Sequence, residues 1–466
     1  MLLISKIALY TVVLLLVCAQ AGNTLAGGDN AAVQSPKNVI LIIGDGMDDH
    51  QISIARNYLV GARGRLSLDS MAHRSVVQVL TVDNAQPEKA VYVADSANSA
   101  SAIASGSVTS RARIATSAGT DKDLPTLVEL ASAAGFRTGV VTTASVTDAT
   151  PAAFYAHTNL RYCENPSMMK DALAYGRVPV DCSQDLIANG GLGSIAEQLL
   201  SSDLDLAFGG GQKHFAMLGE GSSKSLLVQA RESGFELLDS KAQLDKQYPN
   251  KKMLGLFARS TLPVVLRGQG GRGAEAAVPK QNGVSLPEAM PCENNPKFAD
   301  TPSLKLMTEA ALAHLSRESQ AGFFLMVESA SIDKQSHLRN ACGSIGEVAQ
   351  LNEALDSALL FAETHENTLI IVTADHGQAA QLIPSVSLYS NPDLAIYSPG
   401  KLFRIITPEG AVMAVNYATN DFVSEEHTGV NVPLFTNGVG KNILPSMLTQ
   451  PDLFGVMSDY LGLDRQ

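Results

Sequence analysis

Residues 38–46 read NVILIIGDG. An apolar run of this length, closed by Gly44-Asp45-Gly46, has the pattern of a strand buried on both faces in a parallel sheet, running into a loop that presents Asp45. A carboxylate between two glycines is by default only a turn residue. Recurrence of the pattern argues otherwise. FFLMV at 323–327 runs into Glu328, TLIIVTA at 368–374 runs into Asp375-His376, a strand Thr138–Thr143 precedes Asp148 and Thr150, and Val91–Val93 precedes Ser96. Loops that follow parallel strands share the carboxyl edge of the sheet, so residues spread over the chain can meet there.

Between these strands the periodicity is helical. Helices are expected over 50–60, Leu124–Gly135, Pro302–Arg317, Ile345–Thr364 and Leu453–Tyr460, with further strands at Val76–Val82 and Asp205–Phe208. The alternation predicts an α/β fold, a large mostly parallel central sheet with helices on both faces. The pattern weakens over 212–300 and 383–420, which read as peripheral insertions. No flexible linker or internal repeat interrupts the chain, so residues 27–466 are expected to form a single domain.

The N-terminus carries one charge, Lys6, before the apolar run Ile7–Val17 and the small residues Ala19-Gln20-Ala21 and Thr24-Leu25-Ala26. This reads as a signal peptide over residues 1–26, cleaved after Ala21 or Ala26, for a periplasmic or secreted protein. A lipid anchor at Cys18 is the alternative, although Val17 is bulky where such signals take a small residue. The chain has a formal charge of −12, which becomes −13 once Lys6 leaves with the leader. An acidic surface disfavours nucleic acid and anionic membranes, and an anionic substrate then needs a local positive site.

Of the five cysteines, Cys163, Cys182, Cys292 and Cys342 remain after the leader. In an exported chain four thiols suggest two disulfides, for which three connectivities exist. Sequential pairing, Cys163 with Cys182 and Cys292 with Cys342, closes the shortest loops.

The stretch VADSANSASAIASGS at 93–107 places Ser96 at the start of a helix of small residues. A helix N-terminus offers unpaired N–H groups and a favourable dipole to an anion such as phosphate. Within ESASIDKQSHL, Asp333 and His337 stand four apart, on one face of a helix, as a metal-binding pair requires. Asp375-His376 adds a second carboxylate and imidazole, and His427 in EEHTG a third nitrogen.

The stretches GDGM at 44, VADSANSA at 93, TDATPAAFYAHTNLR at 147, VESASIDKQSH at 327, TADHG at 373 and EEHTG at 425 together resemble those of the bacterial exported alkaline phosphatases. The resemblance implies an alkaline-phosphatase-like fold and metal-dependent hydrolysis of phosphate monoesters through a phosphoserine; a broad substrate range is expected because the recognised groups would all contact phosphate. It implies two zinc ions per chain, one held by Asp333, His337 and His427 and the other by Asp45, Asp375 and His376. One magnesium ion would be held by Asp45, Thr150 and Glu328, with Asp148 and Lys334 beside it. Ser96 would be the nucleophile and Arg161 the phosphate clamp, steadied by Asp95. Two sequential disulfides and a homodimer are implied as well, and a formal charge count over three divalent ions, Asp45, Glu328, Asp333, Asp375, Arg161 and Asp95 leaves a positive cavity expected to retain product phosphate as an inhibitor. Ser329 departs from the glycine expected after Glu328, and leaves every ligand in place.

A two-zinc phosphodiesterase or sulfatase would not account for Arg161 or the Thr150/Glu328 set. A metal or phosphate scavenger would not need a serine opening a helix among the ligands.

Overall fold

The computed structural model describes residues 36–465 apart from 175, 318 and 390–393, so the expected leader and Cys18 lie outside the described residues. Ten strands form the main sheet: β1 Lys37–Gly44, β2 His73–Gln78, β3 Arg137–Ser145, β4 Leu206–Gly210, β5 Phe235–Leu238, β6 Lys252–Leu256, β7 Gly322–Ser329, β8 Thr368–Ala374, β9 Val432–Thr436 and β10 Met447–Thr449. Their spatial order is β10-β2-β9-β8-β1-β7-β3-β4-β6-β5. All run the same way except β9, which is antiparallel to both neighbours.

The centre of this sheet is the core. Val39 to Ile43 are each 0 % exposed, and burying side chains of this kind stabilises the fold by about 1.5–3 kcal/mol apiece. Helices α1 Asp49–Leu59, α4 Leu304–Leu315, α5 Ser331–His337 and α6 Ala341–Thr364 pack together on one face. Helices α2 Ser96–Ser105, α3 Leu127–Ala133 and α7 Gln450–Leu461 pack together on the other. No described helix is long and apolar enough to cross a membrane.

Three sequence expectations are corrected. The segment before Ser96 is not a strand of the main sheet: Ala90–Val91 pairs antiparallel with Thr81–Val82, and Tyr92 is 86 % exposed. Val76–Val82 is likewise two strands, broken after Gln78. Residues 212–300 contribute β5 and β6 to the main sheet. Both are short, and edge position leaves β5 half-covered, so neither shows a long apolar run. The insertion expected over 383–420 is peripheral, as the pattern implied, and forms most of a separate antiparallel sheet, with Lys401–Ile406 and Val412–Tyr417 at its centre.

The structure joins Cys163 to Cys182 and Cys292 to Cys342. The second bond ties an outlying strand, Cys292–Asn294, to the first turn of α6. From sequence separations of 19 and 50, loop closure assigns about 3 and about 4 kcal/mol to the two bonds. Replacing Cys292 and Cys342 together by Ala is therefore expected to lower the unfolding free energy more than replacing Cys163 and Cys182, measured by denaturant titration.

Candidate active site

Strands β1, β7 and β8 end level with one another. Gly44 is the register partner of both Ser329 and Ala374, so Asp45 and Asp375 leave the sheet side by side, with Glu328 one step back on β7. Gly46 then turns the chain at φ +68°, where a Cβ would lie 3.0 Å from Gln378 Cγ. Its N–H donates to Asp375 Oδ1 at 3.0 Å, locking the two loops together.

Only Ala330 separates β7 from α5, and the helix sets Asp333 and His337 one turn apart, Oδ2 to Nε2 3.3 Å. His427, from the loop ahead of β9, brings Nε2 to 3.3 Å from Asp333 Oδ1 and 3.1 Å from His337 Nε2. In the neighbouring triad His376 Nε2 lies 3.3 Å from Asp45 Oδ1 and 3.5 Å from Asp375 Oδ2. Within each triad the potential ligand atoms lie within 4.8 Å of one another. The rings of His376 and His427 stack at 3.7 Å, so the triads abut.

All three imidazoles are oriented by backbone carbonyls. His337 Nδ1 faces Glu425 O, His427 Nδ1 lies 2.9 Å from Ala94 O, and His376 Nδ1 lies 3.2 Å from Gly377 O. A carbonyl only accepts, so Nδ1 carries a proton and Nε2 is the atom turned inward. Two Nε2 atoms 3.1 Å apart beside a carboxylate need a proton or a metal cation between them. Asp375 Oδ2 is buried without a hydrogen-bond partner.

The titration pattern has the same origin. Burial, then the charges of Asp375, Asp333 and Glu328, raise the Asp45 carboxyl well above its ordinary range. Burial, with repulsion from Asp148 and Asp375, pushes Glu328 up to about 8 against the hydrogen bond from Thr142. Burial, with repulsion from Asp333, raises Asp375 to about 6. His376 is lowered to about 3 by burial and by His427. Nitrogen and carboxylate donors converging in this way suit zinc.

Ser96 is the first residue of α2. Asp95 caps the helix, accepting from Asn98 N–H at 3.0 Å. Ser96 Oγ is buried 3.1 Å from His376 Nε2 and 3.5 Å from Asp45 Oδ1. Arg161 spans two acids, Nη1 to Asp95 Oδ2 at 3.3 Å and Nη2 to Asp148 Oδ1 at 3.2 Å. Lys334 Nζ donates to Asp148 Oδ2 at 2.6 Å. Despite burial, Lys334 and Arg161 hold the Asp148 carboxyl well below its usual range.

Every predicted site residue but one is joined to this network by a contact or by charge. Thr150 is buried in the short helix that Asp148 caps, and its side chain makes no hydrogen bond to Asp45 or Glu328 among the described residues.

A family profile described as alkaline phosphatase matches residues 36–398. The chain belongs to the alkaline phosphatase family. The alkaline phosphatase of Escherichia coli strain K12 is 38 % identical over 94 % of this chain and 89 % of its own length. Streptomycin-6-phosphate phosphatase of Streptomyces griseus is 38 % identical over 97 % and 95 %. Alkaline phosphatase from the Antarctic bacterium TAB5 superposes with a TM-score of 0.67 at 23 % identity, covering 92 % of this chain and 100 % of its own, which shows a shared fold. As an alkaline phosphatase the chain is an enzyme of a metal-dependent family that hydrolyses phosphate monoesters, and its two triads are candidate metal-binding groups.

Sequence reasoning missed the residues that brace these groups. Gln378 Nε2 donates to Asp333 Oδ1 at 2.6 Å, and its own N–H goes to Asp48 Oδ2 at 3.3 Å. Glu425 orients His337 through its carbonyl while its carboxylate pairs with buried Arg339. Their proximity to His376 and His427 in sequence was the only available cue.

Stability of the metal-free protein should fall as pH rises from about 6.5 to 8. Glu328 and His427 have raised folded pKa values, so the folded chain holds protons there that the unfolded chain has lost, and unfolding gains with each. His376 acts in the opposite sense, but only below the ordinary histidine range. Thermal unfolding across this window, in chelator and with zinc and magnesium restored, should show the decline in chelator alone.

Proposed function

We propose that this enzyme hydrolyses phosphate monoesters through a covalent phosphoserine at Ser96. One observation carries the reading: a buried hydroxyl at a helix N-terminus, 3.1 Å from the His376 nitrogen of one cation-ready triad that abuts a second.

Asp333, His337 and His427 would hold one zinc ion, Asp45, Asp375 and His376 a second, and Asp45, Thr150 and Glu328 a magnesium ion. Bound there, such ions supply the positive charge that makes a hydroxyl more acidic and a departing oxygen more stable. Ser96 Oγ attacks phosphorus, forming the Oγ–P bond as the ester O–P bond breaks, and the proton lost from the serine hydroxyl ends on the departing oxygen, which leaves as the alcohol. Water then attacks the phosphoserine, returning free Ser96 and inorganic phosphate. Arg161 would bind two nonbridging oxygens through its planar fork, whose Nη1 and Nη2 are also anchored by Asp95 and Asp148. Lys334 and Asp148 flank the magnesium ligands and fix that fork.

All of these groups address the phosphate, so a broad range of alcohols is accommodated. The same cationic cavity retains product phosphate, making it an inhibitor. The leader directs the chain to the periplasm or beyond, where it acts as a homodimer.

Acid quenching during turnover of a labelled phosphate monoester should leave label on Ser96, and Ser96→Ala should lose both label and turnover. Arg161→Ala removes charge-assisted hydrogen bonds that contribute about 2 kcal/mol, a drop of roughly 30-fold in kcat/KM. p-Nitrophenyl phosphate should be cleaved in preference to the bis ester. Label on another residue, or full activity in Ser96→Ala, would contradict the reading.

A further inference from the structure

At the edge of the sheet opposite the candidate active site, where the parallel strands begin, two cavities of ≈ 320 and ≈ 270 Å³ share His314 and Arg317 as common walls. The larger is cationic. Arg137 opens β3, Lys252 opens β6, and Lys251 and Arg317 complete a set of four positive side chains against one carboxylate, Asp205.

That carboxylate is already committed. Asp205 takes Arg137 Nε at 3.0 Å and Thr138 N–H at 2.8 Å. Arg137 is equally occupied, donating to His314 O at 2.7 Å and meeting His314 Nε2 at 2.9 Å. Accepting from Arg137 requires an unprotonated Nε2, and burial together with the Arg137 charge lowers His314 to about 4. Lys252 gives one of its three protons to Ser202 O at 2.8 Å. Among the described residues no ion pair engages Lys251 or Arg317. In a chain of formal charge −12, Lys251, Lys252 and Arg317 thus face one concave space in which the carboxylate among the described lining residues, Asp205, is already paired.

The adjoining lobe is different in kind. Leu238, Leu244, Met253, Leu306, Ala310 and the ring of Tyr248 give it an apolar wall, while Asp245, Lys246 and Glu309 line its rim as well, Glu309 accepting from Ser357 Oγ at 2.9 Å. An inorganic ion would engage only the first lobe. A ligand matched to both needs a charged head and an apolar body.

We propose that this cleft binds an amphipathic organic anion, with a sulfonate, phosphate or carboxylate head on Lys251, Lys252 and Arg317 and an apolar or aromatic body against Leu244, Tyr248 and Leu306. The site lies at the opposite end of β3 from Asp148 and is independent of the phosphoryl chemistry proposed above.

The test uses naphthalene-1-sulfonate in equilibrium dialysis against the intact protein and against Arg161→Ala, whose affinity for the sulfonate should be unchanged because the candidate active site takes no part. The proposal predicts one saturable site per chain. Lys251→Ala with Arg317→Ala should weaken binding about tenfold or more, since each charge-assisted contact is worth about that factor. Tyr248→Ala should weaken it too, and sulfate alone should bind more weakly than the aromatic sulfonate. Hydrolysis of p-nitrophenyl phosphate and the far-ultraviolet circular dichroism should be unchanged in the cleft variants, which confirms that they fold. Absence of a saturable site, undiminished affinity in the double variant, or equal binding of uncharged naphthalene would overturn the proposal.

Discussion

Asp45, Glu328, Asp333 and Asp375 are all 4 % exposed or less and near enough to perturb one another's ionisation. Burying one carboxylate is already unfavourable, and burying several together is tolerable only when protons or cations neutralise them. Lys334 and Arg161 offset part of this charge, but both are drawn mainly to Asp148 and Asp95. Three imidazoles meanwhile direct Nε2 inward because backbone carbonyls occupy their other nitrogens. The site is therefore built at the expense of the bare protein's stability, and its donor atoms fit cations of higher charge than a proton.

What keeps so unfavourable a cluster in place is the sheet. A rigid, fully buried centre sets Gly44, Ser329 and Ala374 in register, and that alignment fixes where Asp45, Glu328 and Asp375 emerge. Helix α5 follows β7 almost without a connection, so the position of Asp333 and His337 is inherited from the same strand. Ser96 arrives by another route, on a helix of small residues packed under α7. Its placement depends on α2 docking, with Asp95 serving as both helix cap and partner of Arg161.

The central strands were legible because burial on both faces leaves long uncharged runs, and each such run ends at a residue able to bind or react. Asp333 and His337 were legible from helical spacing alone. By contrast β5 and β6 are short strands toward the far edge, and β9 hides in a segment that opens on Pro433 after one valine. The strand expected at Val91–Val93 failed because a β-branched run does not reveal whether it is covered; here the chain only crosses the surface on its way to α2. Gln378 and Glu425 act through contacts with residues distant in sequence or through a backbone carbonyl, neither of which leaves a mark in composition or spacing.

The most direct measurement is anomalous X-ray diffraction from crystals of the purified enzyme, with data collected on both sides of the zinc absorption edge. Two peaks are expected, one enclosed by Asp333, His337 and His427 and one by Asp45, Asp375 and His376 next to Ser96. Crystals grown with zinc present that show no anomalous density between these side chains would contradict the account.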